Sequence, residues 1–147
     1  MSTRKTSSWS TQHTIPSDVS VGNELISELL EAMLQRGWTA TDQFHVHLAY
    51  QEAMTNAVVH GNRRSLDKTV DVEMGCDDQQ VWIRITDQGA GFDADAVPDP
   101  RREDLREIPG GRGLLLMSEV MSEVRYNASG NQITLTKHRG KTRGSAA

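Results

Sequence analysis

Two neighbouring runs of alternating apolar and polar residues constrain the fold of this chain most strongly. In residues 70–76 the side chains at 70, 72, 74 and 76 are apolar and those at 71 and 73 are acidic, and residues 81–86 repeat the alternation. A period of two places one face of a strand against a core and leaves the other face in water. Because only four polar residues, 77–80, separate the two runs, we predict an antiparallel hairpin.

The periodicities on either side of this hairpin place the remaining helices and strands. Alternation that ends at Pro16 predicts an edge strand, since proline cannot donate to a neighbouring strand. Apolar residues that recur every three or four positions predict helices, and a glycine such as Gly37 is a fitting end for one. The predicted elements are a strand over 9–15, helices over 18–36, 41–60 and 114–124, and a last hairpin over 125–129 and 132–138, turned at Gly130-Asn131.

This order, β-α-α-β-β-loop-α-β-β, decides the fold class. Strands and helices do not alternate singly, which excludes a doubly wound parallel fold. We predict an α+β two-layer sandwich, in which helices cover one face of a mixed, mostly antiparallel sheet. The chain of 147 residues has the length of one domain. We place this domain at 9–138, between flexible tails at 1–8 and 139–147.

The composition limits the kinds of partner that this protein is expected to bind. Sixteen basic and twenty acidic residues give a net charge of −4, which disfavours general binding to nucleic acid or to anionic membranes. The single cysteine excludes a disulfide within the chain and a zinc site built from cysteines. No apolar run approaches the ~20 residues of a transmembrane helix, and the first residues lack the apolar centre of a signal peptide. We therefore expect a cytoplasmic protein.

The second predicted helix carries polar residues on an otherwise apolar surface. Glu52 and Asn56 are four residues apart, so they share one face and lie about one turn apart. A solvated stripe on a half-buried helix explains this pair as well. However, the small residues Ala53, Ala57 and Gly61 would let a ligand approach the helix closely. A carboxylate and a carboxamide are also good ligands for a hard cation such as Mg²⁺.

Glycines follow the predicted strand over 81–86 and precede the third helix. The segment Asp87-Gln88-Gly89-Ala90-Gly91 can direct a carboxylate inward while the backbone bends around a ligand, although Asp and Gly also form ordinary turns. The segment Gly110-Gly111-Arg112-Gly113 either offers backbone N–H groups to an anion at a helix start or serves as a hinge. Between these segments, residues 93–109 show no period and are rich in Asp, Arg and Pro, as in a lid or a linker.

The order of these motifs is more specific than any one of them. Glu-x-x-x-Asn on a helix, Asp-x-Gly-x-Gly after a strand and Gly-x-Gly at a helix start follow one another within residues 42–137. At this point the sequence resembles the ATP-binding domain of the GHKL superfamily (the Bergerat fold), which DNA gyrase and sensor histidine kinases share. The segments QEAMTNAVVHG at 51–61, GRGL at 111–114 and MSEV at 121–124 are most similar to those of bacterial anti-sigma factors that are serine/threonine kinases.

The resemblance implies ATP and Mg²⁺ as cofactors and a role for each motif residue. Glu52 would be the general base, and Asn56 would coordinate Mg²⁺ through its side-chain oxygen. Asp87 would accept a hydrogen bond from the adenine amino group, and this contact would select adenine over guanine. The other residues implied in ATP binding are Gly89, Gly91, Gly111, Arg112, Gly113 and Leu114.

The chain also departs from the family pattern in two places. Residues 93–109 would form the lid, but the Thr and Lys that some relatives place there, near the γ-phosphate, are not in this sequence. Surface pairing with acidic neighbours explains any single arginine of this region. The cations available there are Arg101, Arg102, Arg106 and Arg112. Many relatives carry Thr after the glycine of the last hairpin, where this chain has Asn131.

As a function, the resemblance implies a kinase that transfers the γ-phosphoryl group of ATP to a serine or threonine of a small anti-anti-sigma protein. The unphosphorylated partner would release a sigma factor that this protein holds. Two alternatives remain open: a nucleotide-dependent binding module with little phosphotransfer, and a scaffold with a vestigial site. The intact Glu52, Asn56 and Asp87 disfavour the scaffold. The family often forms homodimers, although this sequence shows no dimer interface, and we expect no direct contact with nucleic acid or membrane.

Overall fold

The computed structural model describes residues 8–89 and 111–139, and of Gly111 and Arg112 only the backbone. The helices and strands follow one another in the predicted order. They are β1 (Trp9–Pro16), α1 (Val19–Gln35), α2 (Ala40–Thr55), a π-helical turn (Asn56–Gly61), β2 (Thr69–Cys76), β3 (Gln80–Thr86), α3 (Gly111–Val120), β4 (Glu123–Tyr126) and β5 (Gln132–His138). Within the described ranges, no helix is long and apolar enough to cross a membrane.

One sheet, with the strand order β1-β2-β3-β5-β4, forms one layer of the fold. Val72 lies opposite Ile85, and Ile83 lies opposite Leu135, so the apolar positions of the alternating runs meet on one face. The strand β1 lies at the edge, as predicted. The α+β class and the mostly antiparallel sheet are confirmed. Among the described strands every pair is antiparallel.

The helices cover the apolar face of this sheet and close the core. Helix α1 packs against β1 and β2, α2 packs against β3 and β5, and α3 packs against β4. The buried side chains include Leu29 and Met33 of α1 and Tyr50 and Met54 of α2. These contacts give the two layers that the sequence predicts, and they place α2 over the centre of the sheet.

The third helix and the strand after it depart from their predicted bounds. Helix α3 ends at Val120 and β4 begins at Glu123, whereas the sequence predicted a helix over 114–124. That prediction was wrong because the apolar positions 117, 120, 121 and 124 suit a helix followed by a strand as well as one long helix. Val124 instead lies opposite Leu135 in the β4–β5 pair. At the other end, the helix begins three residues earlier than predicted, so its glycines lie in the first turn.

The second predicted helix is continuous to its expected end but changes type at Asn56. In the π-helical turn the amide of Asn62 bonds to the carbonyl of Ala57, five residues back, at 2.8 Å. Such wide turns are frequent at functional sites. The chain then leaves the helix through Arg63 and Arg64, whose φ angles of 53° and 59° lie in a region that non-glycine residues rarely adopt.

Asn62 joins four parts of the fold through a fully buried side chain. Its amide nitrogen donates to Ser17 Oγ and to the Thr69 carbonyl, each at 3.0 Å, and its oxygen accepts from the Gln88 amide at 2.7 Å. Ser17 precedes α1, Thr69 begins β2 and Gln88 follows β3. Because leaving any of these bonds unmade inside the protein is costly, these three segments hold fixed positions around the end of the π-helical turn, the fourth part, which carries Asn62.

A second buried cluster joins β5 to two helices. The ammonium group of Lys137 is fully buried; it donates to the Val120 carbonyl at 2.8 Å and to His45 Nδ1 at 3.3 Å, and Asp42 lies 3.9 Å away. An ammonium has donors only, so His45 must be neutral and accept through Nδ1. Burial, and then the charge of Lys137, lower the pKa of His45 against the opposing effect of Asp42.

We expect Asn62→Ala to lower the free energy of unfolding by about 3 kcal/mol, because it leaves buried donors and acceptors without partners. Urea denaturation measures this change. The matched control is Asn23→Ala on α1, since the buried Asn23 Oδ1 has no hydrogen-bond partner among the described residues. That variant should be as stable as the parent or more stable. Equal losses in both variants would show that the Asn62 bonds carry no special weight.

We expect acid to destabilise the parent more than the variant His45→Asn, which keeps an acceptor but cannot be protonated. The lowered pKa of His45 means that the unfolded chain binds more protons than the folded protein once the pH falls below about 6.5. Stability is therefore lost as the pH falls from 7.5 to 5.5. Melting temperatures of both proteins across this range provide the measurement, and parallel curves would contradict the interpretation.

Candidate functional site

The C-terminal end of α2 and the first turn of α3 meet at Gly113. A Cβ added at Gly113 would lie 2.6 Å from Glu52 Oε1 and 3.3 Å from Asn56 Nδ2. The structure thus brings together three residues that the sequence placed in one site, and a side chain at 113 would have to displace the Glu52 carboxylate. The first N–H groups of a helix have no partner within it and attract anions. The carboxylate and the carboxamide therefore lie beside a helix start that suits a phosphate.

The side chain of Asn56 is partly buried and lies beside a tyrosine of β4. Its Nδ2 is buried and has no hydrogen-bond partner among the described residues. The phenol of Tyr126, on β4, interacts with this side chain. Burial, and then the negative charge of Asp87, raise the pKa of Tyr126 to about 12, so the phenol is neutral at physiological pH. Sequence reasoning missed Tyr126, because a tyrosine in a short strand carries no signal of its own.

Asp87 lies directly after β3, and both its backbone N–H and its backbone carbonyl form hydrogen bonds with Asn131. Its amide donates to the Asn131 carbonyl at 2.9 Å, and its carbonyl accepts from Asn131 Nδ2 at 3.3 Å. The carboxylate accepts from the Gly89 amide through Oδ1 at 2.8 Å. Burial raises the pKa of Asp87, while the Gly89 N–H and the charge of Lys68 oppose the rise. The result is a partly desolvated acceptor in a fixed position.

Two glycines create the space around this carboxylate. A Cβ added at Gly61, the last residue of the π-helical turn, would lie 2.3 Å from Asp87 Oδ2. A Cβ added at Gly89 would lie 1.9 Å from the Gly61 carbonyl oxygen. The sequence predicts that Gly89 lets the chain pass close to a ligand, whereas the observed close approach is to Gly61. A side chain at Gly89 would push the strand end away from the helix, and one at Gly61 would displace the Asp87 carboxylate.

At Asn131 the sequence departs from the family pattern, and the structure shows what this residue contacts. It fixes the Asp87 backbone, and Asn127 in turn donates to its side-chain oxygen at 2.8 Å. The loop between β4 and β5 therefore supports Asp87 through side-chain amides. On the other side, the Asn62 bond to the Gln88 amide holds the next residue. Sequence reasoning found neither support, since single asparagines in turns are common.

Some predicted site residues lie where little or nothing is described. Gly91 and the predicted lid over 93–109 lie outside the described residues, as does the side chain of Arg112. Gly111 opens α3. Leu114 is partly buried and packs against the core, so it anchors the start of the helix.

The described residues contain no cluster of three His, Cys, Asp or Glu side chains that could hold a metal ion. Mg²⁺ is commonly bound by one or two protein oxygens together with phosphates of a nucleotide. The side-chain oxygen of Asn56, close to Gly113 at the start of α3, fits this mode of binding. A nucleotide with its metal is therefore compatible with the donors present.

The chain is similar to known proteins over most of its length. Residues 15–137 match the family described as the Histidine kinase-like ATPase domain. A serine-protein kinase RsbW of Bacillus subtilis is 32% identical over 111 residues, which cover 69% of this chain and 68% of the relative. An anti-sigma F factor of Bacillus velezensis is 29% identical over 110 residues, which cover 71% of this chain and 75% of the relative.

A solved structure supports the fold. The crystal structure of the RsbU and RsbW domains of Rv1364c from Mycobacterium tuberculosis matches 91% of this chain with a TM-score of 0.55 and 19% sequence identity. This chain spans 34% of that longer chain. The family match extends over most of the sequence and includes every site residue named above. The chain therefore belongs to the histidine kinase-like ATPase domain family, among the relatives of the RsbW serine-protein kinases.

Proposed function

We propose that this protein is an anti-sigma factor kinase that binds ATP with Mg²⁺ and phosphorylates a serine or threonine of a small anti-anti-sigma protein. The observation that carries the proposal is the contact of Gly113 with both Glu52 and Asn56. It brings a candidate base, a candidate metal ligand and an anion-binding helix start to one place. Phosphoryl transfer needs little else from a protein than such positioning and charge stabilisation.

Each residue of this group has a distinct role in the proposal. Glu52 accepts the proton of the attacking hydroxyl group, which a carboxylate can do when it lies within hydrogen-bonding reach. Asn56 would hold Mg²⁺ through its side-chain oxygen, and the bound ion would supply charge neutralisation for the phosphates. The backbone N–H groups at the start of α3 hold the phosphates through the helix dipole.

Asp87 recognises the base in this proposal. Its carboxylate accepts a hydrogen bond from the adenine amino group, whereas guanine would present a carbonyl and leave the carboxylate without a partner. The supports at Asn131 and Gln88 hold the acceptor still, so recognition requires no rearrangement of the strand end. The contributions of Gly91, Arg112 and the lid stay predictions.

The partners follow from the relatives. One relative is named an anti-sigma F factor and another a serine-protein kinase, so we infer that this chain holds a sigma factor and releases it when its partner is unphosphorylated. A cytoplasmic location and a homodimer are part of the same proposal. The alternative is a nucleotide-dependent binding module with little phosphotransfer, which the same fold would also support.

We expect Asp87→Asn to weaken ADP and ATP binding by about 1–3 kcal/mol, since it places a donor where the adenine amino group needs an acceptor. The fold should not suffer. Because burial raises the pKa of Asp87, its charge costs stability at neutral pH, and a neutral side chain of the same size removes that cost.

Calorimetry and thermal unfolding test both parts of this prediction. The apo melting temperature should stay the same or rise, while the shift produced by ADP should shrink. The control is Asp71→Asn on β2, whose side chain accepts from Thr14 at 2.7 Å, and it should bind nucleotide normally. Unchanged ADP affinity in Asp87→Asn would refute the role of this residue.

We expect Glu52→Gln to keep nucleotide binding but to lose phosphoryl transfer by about 10²-fold or more, because the amide cannot accept the proton. Asn56→Ala should instead weaken the Mg²⁺-dependent part of binding, since it removes a metal ligand. Transfer of labelled phosphate to the partner and calorimetry with and without Mg²⁺ measure these effects. The exposed Glu31→Gln on α1 is the control. If Glu52→Gln transfers phosphate at the parent rate, the binding-module alternative takes precedence.

A further inference from the structure

Lys137 has no role in the proposed chemistry. Among the described residues, however, it is the one charged side chain that is completely buried. It lies on β5, on the face that the helices cover. Its ammonium group contacts Val120 at the end of α3 and His45 on α2. Burying a charge is costly unless its bonds are made, so this cluster requires a fixed distance between the two helices and the strand.

The cluster and the candidate site lie at opposite ends of the same pair of helices. Gly113, near the start of α3, touches Glu52, near the end of α2. Val120, at the end of α3, is linked through Lys137 to His45, nearer the start of α2. The two helices are therefore antiparallel. Each pair of positions is seven residues apart, which corresponds to a rise of about 10.5 Å along either helix.

Because the two contacts are separated by the same distance on both helices, both can form in only one axial position of α3 along α2. A shift of one residue moves a helix by about 1.5 Å, which is enough to break the 2.8 Å bond from Lys137 to the Val120 carbonyl. Apolar packing alone would resist the shift less. Met117 and Met121, the fully buried side chains of α3 and the residue after it, are flexible and adapt to altered surroundings. The glycines of the first turn have no side chains to interlock, and the neighbouring Leu114 is only partly buried.

We propose that Lys137 is a positioning residue that sets the axial register of α3 against α2. It thereby holds the helix start at Gly113 against Glu52 and Asn56. The catalytic consequence rests on the proposed kinase function, whereas the structural consequence does not. Nucleotide recognition by Asp87 is independent of Lys137, because its supports come from the loop between β4 and β5 and from Asn62.

The test compares Lys137→Met, which keeps the buried stem and deletes the ammonium group, with Tyr50→Phe. Tyr50 is a buried residue whose hydroxyl donates to the Gly22 carbonyl and ties α2 to α1. Both variants lose a buried hydrogen bond that involves α2, but only Lys137→Met also removes a hydrogen bond to α3. Measurements are made well below both melting temperatures, on the full chain, with hydrogen exchange of backbone amides, ADP calorimetry and phosphotransfer kinetics.

In Lys137→Met, amide exchange over 113–116 should accelerate by about tenfold relative to α1. The kcat for phosphotransfer should fall by about 10–100-fold, the size of effect expected from a displacement of about 1 Å, while ADP affinity changes by less than about threefold. Tyr50→Phe should show neither effect. His45→Leu, which removes one contact with α2 and leaves Asp42 at 3.9 Å, should shift both measurements in the same direction by a smaller amount, and it serves if Lys137→Met does not fold.

Parent-like exchange over 113–116 in Lys137→Met or His45→Leu would overturn the proposal. So would a loss of kcat that follows the melting temperature in the same proportion as in Tyr50→Phe, because that pattern marks a general loss of stability. If the parent protein itself transfers no phosphate, the proposed function fails instead. The exchange comparison then still decides whether Lys137 sets the register.

Discussion

The buried side chain of Asn62 is the constraint on which the rest of the structure depends. Its bonds to Ser17, Thr69 and Gln88 are all made inside the protein, so none can be lost without a polar group being stranded. The π-helical turn ends at Gly61, so it places the next residue, Asn62, at this junction. The helix that bears Glu52 and the strand end that bears Asp87 are thereby connected through one amide.

Glycines set the distances around that junction. At Gly61, Gly89 and Gly113 an added Cβ would collide with Asp87, with Gly61 and with Glu52. Of these contacts, only the one between Gly89 and Gly61 brings two backbones together; at Gly61 and Gly113 the added Cβ would meet the side chains of Asp87 and Glu52. Beside Gly113, the Nδ2 of Asn56 is buried and has no hydrogen-bond partner among the described residues.

Much of this arrangement was predictable from the sequence, and the reasons for the exceptions are physical. Alternation defined the sheet because one face is buried, and helical spacing put Glu52 and Asn56 on one face. The end of α3 was not predictable, because its apolar positions suit two structures. Asn62, Tyr126 and Lys137 were missed since their roles arise from contacts between segments distant in sequence. The π-helical turn was missed because a wider turn leaves no mark on the apolar pattern.

The matched seven-residue spacing of the two helices also limits how such a chain can change its length. A residue inserted between His45 and Glu52 would displace one contact along the axis and rotate it by about 100°. An insertion between Gly113 and Val120 would do the same from the other side. Only a compensating change in both segments would restore the contacts at each end. A change of chain length in either stretch therefore disrupts contacts between α2 and α3, whereas a change of length in a loop carries no such penalty.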